Sequence, residues 1–139
     1  MNVKVEEVMI TPVISTHERT TIGHVKDIMN KNHVHSLPIV DGENKVVGII
    51  TVNDIVNDIS DDTTVNHVMS KNVLTIPKYS GIHIAARIMR NHHIHHLVVT
   101  HEKELVGVLS SLDLLQFVEE HRFVSKNAPT PSKRKGGRY

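Results

Sequence analysis

Apolar residues fall into short contiguous runs, then helical spacing, then runs again, and the whole series occurs twice. Val13-Ile14-Ser15-Thr16 is a short β-rich run. Ile22, Val25, Ile28 and Met29 then share one helical face, with Thr20 as the candidate N-cap. Ser36 to Asp41 predicts a strand with Pro38 near its start, where a missing N–H does least harm. Asp41-Gly42 signals a tight hairpin turn. Lys45 to Ile50 predicts the returning strand, and Thr51 to Ile59 a helix burying Val52, Ile55, Val56 and Ile59. Ser60 to Thr63 is a polar break.

The second series keeps the order. Val73 to Ile76 is the short run, ended by Pro77. Ser80 is the candidate N-cap of a helix whose apolar face is Ile82, Ala85, Ala86, Ile88 and Met89. His96 to Thr100 and Leu105 to Leu109 predict strands, and Ser110 to about His121 a helix with Leu112, Leu115 and Val118 inward. The turn at His101-Glu-Lys-Glu104 has no glycine, so its geometry must differ from that at Asp41-Gly42. Val8-Met9, Ile28-Met29 and His33-Val-His35 recur at an offset of 60, as Val68-Met69, Ile88-Met89 and His93-Ile-His95. Gly48 and Asp54 recur at 59, as Gly107 and Asp113. The lost residue falls in the hairpin turn, where deletions are best tolerated. The chain therefore reads as one unit written twice. We assign residues 1–60 to repeat 1, 61–123 to repeat 2 and 124–139 to a tail.

Each repeat brings a glycine, a hydroxyl and a carboxylate to a strand-to-helix junction: Gly48, Thr51 and Asp54, then Gly107, Ser110 and Asp113. Thr51-x-x-Asp54 and Ser110-x-x-Asp113 fit a capping box, and for a lone match that is the better reading. The echo at matched positions, with histidines at the start of each paired strand, favours a ligand cleft. A helix N-terminus suits phosphate, and Thr51 or Ser110 adds a hydroxyl there. Asp54 or Asp113 is an acceptor-only carboxylate suited to the two hydroxyls of a ribose. The glycines leave room for close approach to the strand, and Ile49 and Val108 offer apolar cover for a base.

The runs VHSLPIVD from Val34, IHHLVVT from Ile94, GIITVND and GVLSSLD, with the two Val-Met pairs, resemble a tandem CBS-domain pair. The resemblance covers about residues 3 to 123. It implies an α/β (α+β) fold: two β-α-β-β-α units packed about a pseudo-two-fold axis, with ligand clefts between them. It also implies a homodimer, and a stand-alone, non-enzymatic regulatory module. The implied ligands are AMP, ADP, ATP or S-adenosylmethionine, with Asp54 and Asp113 on ribose and Thr51 and Ser110 near phosphate. In some nucleotide-binding relatives a histidine at the position of His35 and His95 faces phosphate and an arginine follows it. Here Ser36 and His96 replace that arginine, which disfavours a triphosphate by removing its bidentate partner. His96 joins His35 and His95 as a candidate phosphate-facing residue.

Composition narrows these readings. The chain has 139 residues, 39% hydrophobic but only 3% aromatic, so Val, Ile, Leu and Met must fill the core. There is no cysteine, which excludes disulfides, thiolate metal sites and a cysteine nucleophile, and fits a cytoplasmic protein. No apolar run is long enough to span a bilayer, and the N-terminus lacks a signal-peptide pattern. Nucleophile, Walker and HExxH motifs are absent, so no catalytic residue is assigned. The twelve histidines include His92, His93, His95 and His96. With no cysteine or well-spaced carboxylate they read as an exposed helix end ahead of a metal site. Five of the 16 basic residues, Lys126, Lys133, Arg134, Lys135 and Arg138, lie in the tail, leaving 11 against 15 acids. That tail is expected to be disordered. It supplies the rival function, an adaptor for nucleic acid or another anionic partner.

Overall fold

A computed structural model describes residues 2–56 and 58–121; the basic tail lies outside them. Repeat 1 contributes β1 (Thr16–His17), α1 (Ile22–Asn32), β2 (Ser36–Val40) and β3 (Val46–Thr51), then a short 3-10 helix, Val52–Ile55. Repeat 2 contributes β4 (Thr75–Pro77), α2 (Ile82–His92), β5 (His96–His101), β6 (Glu104–Ser110) and α3 (Ser111–Glu120). Each repeat builds its own three-stranded mixed sheet. β2 lies between parallel β1 and antiparallel β3, and β5 lies likewise between β4 and β6.

The cores are assembled across the repeats. Ile22, Val25, Met29, Leu37, Ile39 and Ile50 of repeat 1 pack with Val65 and Met69, which lead into repeat 2. Ile76, Ala85, Met89, Leu97, Val99 and Leu109 pack with Val5, and Val8 and Met9 lie against them. Each lead segment therefore covers the other repeat's sheet. The glycines of the two junctions are part of this arrangement. A Cβ at Gly48 would overlap Met69 Sδ, and one at Gly107 would lie 2.5 Å from Met9 Sδ. The space that the glycines leave is filled by methionine, not held open for a ligand.

Backbone pairing shows the pseudo-symmetry directly. Ile10 bridges Val108 while Ser70 bridges Ile49, and Lys4 bridges Gly81 while Thr64 bridges Thr21. Each pair is the image of the other under the repeat offset, the signature of a self-complementary two-fold contact. The bridge Lys45–Glu104 is its own image and sits on the axis. A third cluster of Val40, Val98 and Leu105 closes the seam there.

The same exchange moves the N-caps. The Thr20 carbonyl accepts from the Val65 N–H (2.7 Å) and its hydroxyl is hydrogen-bonded to that of Thr16 (2.6 Å), so Thr21 caps α1. The Ser80 carbonyl accepts from Val5 N (2.7 Å), and Gly81 becomes the N-cap of α2, without a side-chain bond. The expected first strands shift to Thr16–His17 and Thr75–Pro77, with Pro77 as the last residue of β4. Ala86 is exposed. The hairpins do differ: Asp41 Oδ1 accepts from Glu43 N and Lys45 N, whereas Glu102 and Lys103 both take positive φ.

Two helix expectations fail. Among the described residues of the expected Thr51 to Ile59 helix, only Val52–Ile55 is helical, as a four-residue 3-10 helix; Val52, Ile55 and Ile59 still pack on the core, but Val56 is 68% exposed. In α3 the inward residue is Leu114, while Leu112, Leu115 and Val118 are 72%, 64% and 53% exposed. Their spacing is that of a buried face, but no described residue of this chain covers it.

Candidate functional site

β3 runs straight into its 3-10 helix and β6 straight into α3, so each junction sits at the carboxyl end of an edge strand. Val52 N donates to His35 O (3.0 Å) and Ser111 N to His95 O (2.9 Å), which ties each junction to the start of the neighbouring strand. His35 and His95 stand just past αL C-caps: His33 and His93 have φ of 55° and 54°, with N–H groups on Met29 O and Met89 O. Histidine is among the residues that tolerate this conformation.

Two related cavities open between the repeats. The first, about 480 Å³, places Ile49 and Thr51 of repeat 1 opposite Ile94, His95 and His96 of repeat 2, with His35 at its edge. The second, about 180 Å³, places Val108, Ser110 and Asp113 opposite His33, Val34, His35 and Ser36, with His96 at its edge. Of the nine residues singled out by sequence, Thr51, Ile49, His35, His95 and His96 meet in the first. Val108, Ser110, Asp113, His35 and His96 meet in the second. Asp54 lines neither.

The two carboxylates are used differently. Asp54 Oδ2 accepts from Thr51 N (2.8 Å) and from the Thr51 hydroxyl (3.1 Å). Asp113 Oδ2 accepts from Ser110 N (2.8 Å), and Asp113 N donates to the Ser110 hydroxyl (3.1 Å), a complete capping box. The helix-terminus argument for phosphate applies only at α3, because one 3-10 turn carries little macrodipole. Asp113 can cap through one oxygen and present the other to its cavity.

A third part of each cavity's lining was not singled out by sequence. It is the segment after each Val-Met pair: Ser70, Asn72, Val73 and Leu74 in the first cavity, and Ile10, Pro12, Val13 and Ile14 in the second. The signal was present, since Ile10 to Ile14 and Ser70 to Leu74 continue the 60-residue register.

His96 is half-buried where the cavities meet. Burial, then the nearby His95 and His35, hold its imidazole below the usual 6.5, while Asp113 pulls upward. Ser111 Oγ lies 3.4 Å from His95 Nδ1. Among the described residues, no group of three or more His, Cys, Asp or Glu is placed to hold a metal ion. No helix there is long and apolar enough to cross a membrane.

Comparison with known proteins adds the family. Over 123 residues the chain is 30% identical to a homoserine O-acetyltransferase of Methanosalsum zhilinae, covering 87% of this chain and 25% of that one. It spans about a quarter of the length of the first curated relatives that it matches. Among solved structures, it resembles the CBS domain pair of protein MJ0100 in complex with 5′-methylthioadenosine and S-adenosyl-L-methionine. That match has a TM-score of 0.80 at 27% identity, over 86% of this chain and 98% of the other. CBS domain protein PAE2072 from Pyrobaculum aerophilum, complexed with AMP, gives 0.77 at 26% identity, over 86% and 100%. The CBS domain model matches residues 5–61 and again 65–120, so this chain belongs to the CBS domain family and carries two CBS domains in tandem.

Proposed function

We propose that the chain is a non-enzymatic regulatory module that binds an adenosine-containing ligand in the clefts between its CBS domains. Occupancy is signalled by a change of conformation or partner. The observation that carries this reading is the second cavity, where a capped helix start, a carboxylate and an apolar side chain face one space. There Val108 covers the base, Asp113 takes the ribose hydroxyls, and Ser110 with the first N–H groups of α3 lies toward phosphate. In the first cavity Ile49 and Thr51 take the matching places, with His95 and His96 opposite. The AMP, 5′-methylthioadenosine and S-adenosyl-L-methionine bound by the two similar structures support the ligand class.

Calorimetric titration with AMP, ADP, ATP and S-adenosylmethionine tests it. Binding of at least one is expected, and no heat from any at millimolar concentration overturns the reading. Asp113→Asn is expected to weaken binding more than Asp54→Asn, because only Asp113 lines a cavity.

The exposed stripe of Leu112, Leu115 and Val118 supports a homodimer in which α3 pairs with a second copy. Leu112→Lys with Leu115→Lys is expected to halve the mass measured by light scattering; an unchanged mass sinks that assignment.

A further inference from the structure

The two cavities share a wall, and it is made of histidine. His35 and His96 line both, His95 lines the first and His33 the second. No lysine or arginine is among the residues lining either cavity, and the carboxylate among them is Asp113. A phosphate placed at this seam meets hydroxyls and backbone donors but no permanent cation. Imidazole is the group there able to become positive near neutral pH.

We propose that this histidine seam makes the choice of ligand proton-linked: a phosphate-bearing adenosyl ligand binds with proton uptake at His96, and an uncharged adenosyl ligand binds without it. This rests on the adenosyl reading above and adds a selection rule to it.

The groups facing His96 set the sign. His95 immediately precedes it, just outside β5, His35 faces it from the residue before β2, and Asp113 faces it from the first turn of α3. His33 lines the same cavity from the end of α1. The imidazoles and burial disfavour a charge on His96, and Asp113 favours one. A phosphate dianion alongside adds to the second influence and cancels the repulsion between imidazoles, so the liganded state holds more protons. Affinity for the phosphate-bearing ligand therefore rises as pH falls toward the lowered value of ligand-free His96. Because His96 lines both cavities, a proton taken up there for one ligand is felt in the other cavity.

The test compares AMP with 5′-methylthioadenosine. Imidazole titrations are followed by NMR with and without each ligand, and binding heats are measured in two buffers of different ionisation enthalpy. AMP is expected to move the His96 titration upward by about one unit, equivalent to about tenfold in the affinity ratio, with net proton uptake. 5′-Methylthioadenosine is expected to leave both unchanged. In the double variant His35→Gln, His96→Gln, AMP should lose its uptake and about tenfold of its preference over 5′-methylthioadenosine. Equal titration shifts with both ligands overturn the inference while leaving the adenosyl reading intact. Uptake that persists in the double variant also overturns it, since the proton then resides on the phosphate. Failure of both ligands to bind overturns this inference, and the titration of all four ligands above then decides the adenosyl reading separately.

Discussion

At the end of β3, one oxygen of Asp54 takes both the N–H and the hydroxyl of Thr51; at the end of β6, Asp113 and Ser110 exchange bonds reciprocally. The first arrangement spends the hydroxyl as a donor, and the helix stops after four residues. The second keeps the hydroxyl as an acceptor for an inner N–H, and the helix runs for ten. A single motif therefore has two outcomes. Repeat 1 turns its carboxylate inward on its own backbone, and its chain leaves for the other repeat. Repeat 2 keeps a carboxylate at a cavity wall and ends in a long helix with an uncovered apolar face. A second contrast has a plainer cause. Val98 N donates to Leu74 O (3.4 Å), and the matching Pro38 has no N–H to give. β4 accordingly has three residues where β1 has two.

The comparison can be broken hardest at the lead segments. Val65→Ala and Val5→Ala should each cost about 2–3 kcal/mol in urea unfolding, since both side chains are fully buried. The losses should appear crosswise in hydrogen exchange: Val5→Ala loosens β4 to β6, and Val65→Ala loosens β1 to β3. Next come the glycines. Gly48→Val and Gly107→Val should cost about 1–3 kcal/mol each through overpacking, measured by the same unfolding. Gly107 should lie at the upper end, because the Ile10 carbonyl stands 3.3 Å from the added carbon as well. The caps should separate by less: Ser110→Ala costs about 1 kcal/mol through loss of its bond from Asp113 N. Thr51→Ala should cost less than that, because its hydroxyl only donates to Asp54. The smallest effect is a slope. The neutral form of His96 is favoured on folding, so its contribution is complete above 6.5 and is lost as pH falls toward its lower folded value. Thermal unfolding of His96→Gln between pH 7.5 and 5.5 should fall less steeply than that of the parent chain.

Much of this was legible from residue order. β2, β3, β5, β6, α1 and α2 are buried on predictable faces, and their period shows it. The matched junctions and their histidines account for five of the twelve residues that line each of the two cavities. What escaped reading was decided by parts of the chain distant in sequence. Thr20 and Ser80 look like caps until Val65 and Val5 claim their carbonyls. Gly48 and Gly107 look like room for a ligand until Met69 and Met9 enter it. Leu112, Leu115 and Val118 have the right spacing for a core, but spacing cannot say whether the covering surface belongs to the same chain.

The crosswise lead segments have a consequence for assembly. One repeat by itself would hold Val5 and Met9 away from any sheet that they could cover, and leave its own sheet bare where Val65 and Met69 now sit. Two such halves would complete each other only by mass action. The link at Ser60 to Thr63 replaces that bimolecular step with a high effective concentration. Cutting the link would make the stability of the described fold depend on dilution, which the continuous chain avoids.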